Sequence, residues 1–125
     1  MPWEFKNDRP IYSQLVEQVS LFIITGVFAP GSRLPSVREL AAQAQVNPHT
    51  IQTALAELET RGLVFTERTS GRFVTEDVAM IESLRGSLAA ERINTFFDSM
   101  LNLGIAPHEA LSLASEAITP QREEM

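Results

Sequence analysis

Two helix-start signals stand eleven residues apart in the stretch RLPSVRELAAQAQVNPHTIQTALAELETRG, which runs from Arg33 to Gly62. Ser36-Val37-Arg38-Glu39 reads as a capping box, in which the Ser36 hydroxyl accepts from the Glu39 N–H and the Glu39 carboxylate accepts from the Ser36 N–H. Asn47-Pro48 is the second signal, with Asn as N-cap and Pro at the first helical position, where its missing N–H costs nothing. Gly62 stops the second helix. Only Ala44-Gln45-Val46 joins the two, which is the connection of a helix-turn-helix.

At 100° per residue, Ile51, Ala54, Leu55 and Leu58 form one apolar stripe on the second helix. His49, Thr53, Ala56 and Thr60 lie opposite, flanked by Thr50 and Gln52. That outward face is small and hydrogen-bonding. Gln matches an adenine edge bidentately, Thr and His reach base edges or phosphates, and Ala suits a thymine methyl. In the first helix Val37, Leu40 and Ala41 face inward and leave Arg38 outward. A cation near a helix N-terminus is unfavourable for the dipole, so Arg38 invites another use.

The flanking segments complete the pattern. Residues 1–10 alternate Trp3 and Phe5 with polar neighbours, as an extended arm with one apolar side does. Ile11, Leu15, Val19, Phe22 and Ile23 follow helical spacing, which predicts a helix over 11–25 that ends at Gly26. The segment VFAPGSRLP reads as a loop. After Gly62, Leu63–Thr66 and Arg72–Thr75 are two β-prone runs around Glu67-Arg68-Thr69-Ser70-Gly71, which predicts a hairpin with Gly71 where positive φ is needed. Three helices and a hairpin with basic residues at its tip make a winged helix-turn-helix. Such a unit places its second helix in the major groove and its wing on a neighbouring groove or backbone.

The net charge of −6 runs against that reading, because nucleic-acid affinity rests on neutralising phosphates. Its distribution matters more. Residues 1–76 carry seven Lys or Arg against eight Asp or Glu, whereas 77–125 carry three against eight. The acid lies mostly in the tail, where screening beyond about 8 to 10 Å makes it harmless to a docked head. With no cysteine, disulfides and cysteine-ligated metals are excluded. His49 and His108 are far apart in the chain, with no Gly-rich phosphate loop and no His/Glu motif, so no catalytic or metal-binding set assembles and no cofactor is called for. No apolar run is long enough to span a membrane and no signal peptide is legible, so a cytoplasmic address is the expectation.

From Asp77 the pattern changes. A long helix is predicted over 77–103, with Ile81, Leu84 and Leu88 on one stripe and Ile93, Phe96, Phe97, Met100 and Leu101 on another. Gly86 offers a bend or close approach. Gly104 stops this helix, Pro107 opens a last one carrying Ala110, Leu111, Leu113, Ala114 and Ile118, and the end frays. A helical hairpin this small cannot bury its own apolar sides. Pairing with a second copy through Leu84, Leu88, Ile93, Phe96, Phe97, Met100 and Leu101 is the economical solution, and sets two recognition helices about 34 to 36 Å apart. It is also too small for an enclosed effector pocket of about 300 Å³ or more. No effector is assigned.

PIYSQLVEQV, FAPGSRLPSVRELA, VNPHTIQTALAELETRGLV and RTSGRFV, in that order, resemble the N-terminal domain of the GntR family of bacterial transcription regulators. The Asn-Pro-x-Thr helix start and the short tail resemble its YtrA-type subfamily. The resemblance implies a mainly α protein with a winged helix-turn-helix over 1–76 and a helical dimerisation region over 77–125. It implies a homodimeric repressor on a palindromic double-stranded operator, often beside transporter genes, and not an enzyme. The family's DNA contacts fall on Arg38, on Asn47, His49, Thr50 and Gln52, and on Arg68 and Gly71. Ser36, Thr53 and Arg72 join them as neighbours on the same elements. Two departures stand out. Glu67, Thr69 and Ser70 replace two basic residues and a glycine of the usual wing, and Pro48 and Gln52 replace arginines common on the recognition helix. Base readout then rests on His49 and Gln52, with a shallow salt dependence. The depleted wing and acidic charge leave an alternative open, a winged-helix protein-interaction module without DNA binding, which would lack steep salt dependence.

Overall fold

In the computed structural model, which describes residues 3–123, the elements follow in the order α1 (Ile11–Ile24), α2 (Val37–Ala44), α3 (Pro48–Thr60), β1 (Val64–Glu67), β2 (Gly71–Val74), α4 (Val78–Leu101), α5 (Pro107–Glu116) and α6 (Pro120–Glu123). The chain forms two compact units, Met1–Leu84 and Arg85–Met125, so the division falls inside α4.

In the first unit α1, α2 and α3 enclose one core. Leu15, Ile23, Leu40, Leu55 and Leu58 are its most buried large side chains. Each such Leu or Ile contributes about 1.5 to 3 kcal/mol by leaving water. Pro10 is the N-cap of α1. Ile11, at the start of the apolar spacing, is 37% exposed, and the buried face of α1 also includes Gln14 and Ser20. Ser20 is satisfied by donating to the Val16 carbonyl at 2.7 Å.

Gln14 has a larger role, because it grips the arm. Its Oε1 accepts from the Lys6 N–H at 2.7 Å, and its Nε2 donates to the Lys6 and Arg9 carbonyls at 2.8 and 2.9 Å. One turn on, Gln18 repeats the pattern, accepting from the Glu4 N–H and donating to the Glu4 carbonyl. Two amides spaced i, i+4 thus pair with alternate residues of an extended chain, as a neighbouring strand would. Next to the Gln18 clamp, Trp3 packs edge-on against Phe22, with ring centroids 5.1 Å apart. An open groove of about 370 Å³ runs beside the arm. Its polar lining is largely self-paired, Arg9 with Glu17 and Gln18 with Glu4.

The hairpin pairs Val64 with Val74 and Glu67 with Gly71, one residue nearer the tip than the sequence pattern placed it. Val64 and Val74 face the core. Phe65 and Phe73, also paired, stack on the opposite face with centroids 5.9 Å apart. The segment read as a loop supplies a third extended chain: Arg33 bridges Phe73 in antiparallel fashion. Leu34 N–H donates to the Arg72 carbonyl at 2.8 Å and Val74 N–H to the Ser32 carbonyl at 2.9 Å.

The start of α4 belongs to the head. Asp77 Oδ1 accepts from the Met80 N–H at 3.1 Å, capping the helix. Ile81 is buried, and Met80 and Leu84 pack against the head's core. Leu84, counted with the tail's pairing residues, is therefore occupied within its own chain. A side chain on Gly86 would meet nothing within 4 Å among the described residues of this chain. In the second unit α4 ends at Leu101, and Gly104 at φ +78° turns the chain toward α5. Ala110 is buried, whereas Ile118, expected on the last helix, lies beyond α5 and is 52% exposed. The segment expected to fray holds the short α6. Among the described residues no helix is long and apolar enough to cross a membrane.

Candidate nucleic-acid interface

The interface is built from three local devices. At the first, Ser36 Oγ accepts from the Glu39 N–H at 3.1 Å and Glu39 Oε1 accepts from the Ser36 N–H at 3.4 Å, closing the expected capping box. It fixes the first turn of α2, from which Arg38 stands exposed. Among the described residues, no acidic group pairs with Arg38.

The second device is the turn. Gln45 adopts φ 57° and ψ 48°, and is the one non-glycine with positive φ among the described residues. Its backbone N–H and that of Val46 both donate to the Ala41 carbonyl, the latter at 3.1 Å, which ends α2 and sends the chain sharply into α3. A left-handed residue without glycine's freedom costs about 1 kcal/mol, offset here by those bonds and by burial of Ala41 and Ala44.

The third device is α3. Asn47 Oδ1 accepts from the His49 N–H at 2.7 Å, and Pro48 follows at the first position. Ile51, Ala54, Leu55 and Leu58 are buried. His49, Gln52, Thr53, Ala56 and Thr60 are exposed, and Thr50 is half-buried. The Gln52 amide and the His49 ring make no hydrogen bond to the described residues, whereas Thr53 Oγ1 donates to the His49 carbonyl at 3.0 Å.

In the wing Arg68 sits exposed in the turn, next to Glu67, and makes no ion pair among the described residues. Gly71 has φ +104°, so the expected need for glycine holds. Arg72 is half-buried, and its Nε is out of water without an acceptor. Arg33, which sequence reasoning left in a loop, belongs here too: the three residues Ser32–Leu34 are too few for a strand period to register. By contrast Arg9 and Arg61 are tied to Glu17 and Glu57. The hydrogen bond and charge of Glu17 raise the Arg9 pKa above its ordinary value.

Among the described residues no group of His, Asp or Glu is arranged to hold a metal. In the tail Ile93, Phe96 and Leu101 are exposed at 54%, 37% and 53%, and Leu88, Phe97 and Met100 are half-buried.

Capped α2, tight turn, polar-faced α3 and hairpin define a winged helix-turn-helix protein. Residues 11–74 match the model of the gntR family of bacterial regulatory proteins. The HTH-type transcriptional regulator YhcF of Bacillus subtilis is 37% identical over 86% of this chain and 89% of its own length. The transcriptional repressor YtrA of Bacillus subtilis is 39% identical, over 58% of this chain and 55% of its own. A GntR family transcriptional regulator from Listeria monocytogenes superposes with a TM-score of 0.84 at 38% identity, covering 91% of this chain and all of that one. The DNA-binding domain of AraR, solved in complex with an operator, superposes at a TM-score of 0.55 and 30% identity over 60% of this chain and 96% of that one. The chain belongs to the GntR family, and is a transcriptional regulator of YtrA-like type rather than an enzyme.

Proposed function

We propose that this regulator is a homodimeric repressor that binds a palindromic DNA operator, with the reading head formed by residues 1–76 and the pairing surface lying within 77–125, beyond the first turns of α4. The observation that carries the reading is α3, whose outer face is exposed from His49 to Thr60 while its most selective side chain, Gln52, is left without a partner. A polar helix face normally satisfies itself with i, i+4 pairs or lies in solvent with long charged side chains. This one offers a short Gln/Thr/His/Ala surface of the kind that fits a major groove. Arg38 and Arg68, both unpaired, supply phosphate contacts on either side, joined by Ser36, Asn47, Thr50, Thr53, Gly71 and Arg72. AraR's complex with an operator and YtrA's role as a repressor support the assignment.

Exposed Ile93, Phe96 and Leu101, with Leu88, Phe97 and Met100, form the surface that a second copy covers, and dyad symmetry of the protein then demands dyad symmetry of the operator. The protein acts in the cytoplasm, and its targets are transporter genes, as the family resemblance implies. Fluorescence anisotropy with DNA from upstream of its own gene tests the reading. Binding to an inverted repeat there far tighter than to scrambled duplex, and weakening measurably though not steeply as salt rises, is the expected result. Equal affinity for both would overturn it, and salt-independent capture of a protein would favour an interaction module. Transcript levels of neighbouring transporter genes in a deletion strain test the targets.

A further inference from the structure

We infer that Arg33, which lies outside both the helix-turn-helix and the hairpin, is the wing's second phosphate-binding cation. The inference rests on the reading that the head binds DNA. Arg33 faces Phe73 across an antiparallel bridge. The flanking bonds, Leu34 N–H to Arg72 O and Val74 N–H to Ser32 O, make this a non-hydrogen-bonded pair, the kind in which facing side chains stand closest. Its side chain therefore rises on the face that carries Phe73 and Gly71, away from the core.

It then runs toward the tip. An added Cβ on Gly71 would lie 3.1 Å from Arg33 Nε and 3.4 Å from its terminal nitrogen, so the guanidinium rests directly over Gly71. Gly71 is two residues beyond Phe73 in the direction of the turn, about 7 Å of strand. Absence of a side chain there is what leaves room for the cation. Gly71 is thus required twice, for its positive φ and for the space above it.

The turn itself is poor in charge. Glu67 offsets Arg68, Thr69 and Ser70 are neutral, and Arg72 is half-buried with its Nε sealed. Arg33 is exposed, and no acidic group among the described residues pairs with it. An unpaired guanidinium held along a strand toward a turn is prepared for the planar, charge-assisted bonding that phosphate oxygens offer. The loop before α2 thereby restores to the wing the positive charge that its own sequence lacks.

The test compares full-length wild type, R33Q, R33K and, as a control at the C-terminal end, R122Q. The probes are a labelled duplex containing the upstream inverted repeat and a mixed-sequence duplex of equal length, each titrated between about 50 and 200 mM salt. R33Q is expected to weaken binding to both duplexes at least tenfold and to flatten the slope of log K against log salt by about 1.8, which is about 0.9 for the phosphate lost by each of the two protomers. R33K should retain the wild-type slope, and R122Q should match wild type. Because the Arg33 side chain makes no hydrogen bond within the described residues, R33Q should melt like wild type. Wild-type slope and affinity in R33Q would overturn the inference while leaving DNA binding intact. So would R33K binding as poorly as R33Q, since charge would then not be the cause. Failure of the wild type on both duplexes would instead remove the DNA-binding reading itself, and this inference with it.

Discussion

Replacing Gln14 with Glu changes one NH2 group to an oxygen, leaves no cavity, and should unfasten the N-terminal arm. In the native protein the amide is 2% exposed, accepts once from Lys6 N–H and donates to the Lys6 and Arg9 carbonyls. A carboxylate keeps the first bond, loses both donors, and turns a negative oxygen toward two carbonyls. Each lost bond is worth about 1 kcal/mol net. An unpaired charge at a buried site adds about 3 kcal/mol more, which the arm can escape by letting go. The expected cost near neutral pH is therefore about 3 to 5 kcal/mol, set against about 4 to 13 kcal/mol for a unit of this size. At about 4 to 8 °C per kcal/mol, melting should fall by about 12 to 40 °C.

Trp3, the single tryptophan, makes the local event visible. Packed on Phe22, it should emit at longer wavelength once the arm leaves, even where far-UV circular dichroism still reports helix. The pH dependence has a definite sign. Burial raises the folded-state pKa of the new carboxyl above its unfolded value, so the folded state holds the proton more tightly. Relative stability of Q14E is then best below the unfolded pKa of about 4.3 and declines as pH rises toward the folded value. Melts in a pH series should show Q14E gaining on wild type as pH falls. A Q14E protein within about 0.5 kcal/mol of wild type at pH 7, with unshifted Trp3 emission, would refute the account of the clamp.

Three further outcomes are expected. Gln52→Ala should cost about 1 to 3 kcal/mol at one operator position and relax the preference there, which selection from randomised duplexes would reveal as a flattened column. Ser36→Ala removes the acceptor of the Glu39 N–H and should lower stability by about 1 kcal/mol in urea unfolding, without shifting base preference. Leu101→Glu, on the 53% exposed position at the end of α4, should drive sedimentation from dimer to monomer and abolish tight operator binding together.

The helices were legible because their ends were. Ser36 with Glu39, Asn47 with Pro48, and Gly62 are chemical punctuation whose partners lie within a few residues, so sequence alone locates them. Elements whose partners are remote were hidden. Gln14 and Gln18 look like polar interruptions of an apolar helix, and nothing in their identity says that they pair with the backbone of residues 4 and 6. Backbone has no sequence signature. Arg33 was hidden for the same reason, since its neighbour Phe73 stands forty residues on. The hairpin's register is the one the sequence pattern implies, but its strands end one residue nearer the tip, because Leu63 and Thr75 are as β-prone as the residues that pair. Candidate contacts on α3 were legible because a helix with a known buried stripe has only one other side.

The caps and back-bonds on α3 also set a grammar of hydrogen-bond direction. Asn47 has committed its carbonyl to the His49 N–H, so what it has left to offer is chiefly its NH2, a donor. Thr53 has committed its hydroxyl hydrogen to the His49 carbonyl and keeps lone pairs, an acceptor. Gln52 retains both. A groove that complements this helix must therefore present acceptors such as phosphate or purine N7 to Asn47, and a donor such as the exocyclic amine of adenine or cytosine to Thr53. The bonds that start and hold the helix thus narrow which base edges it can accept before any DNA arrives.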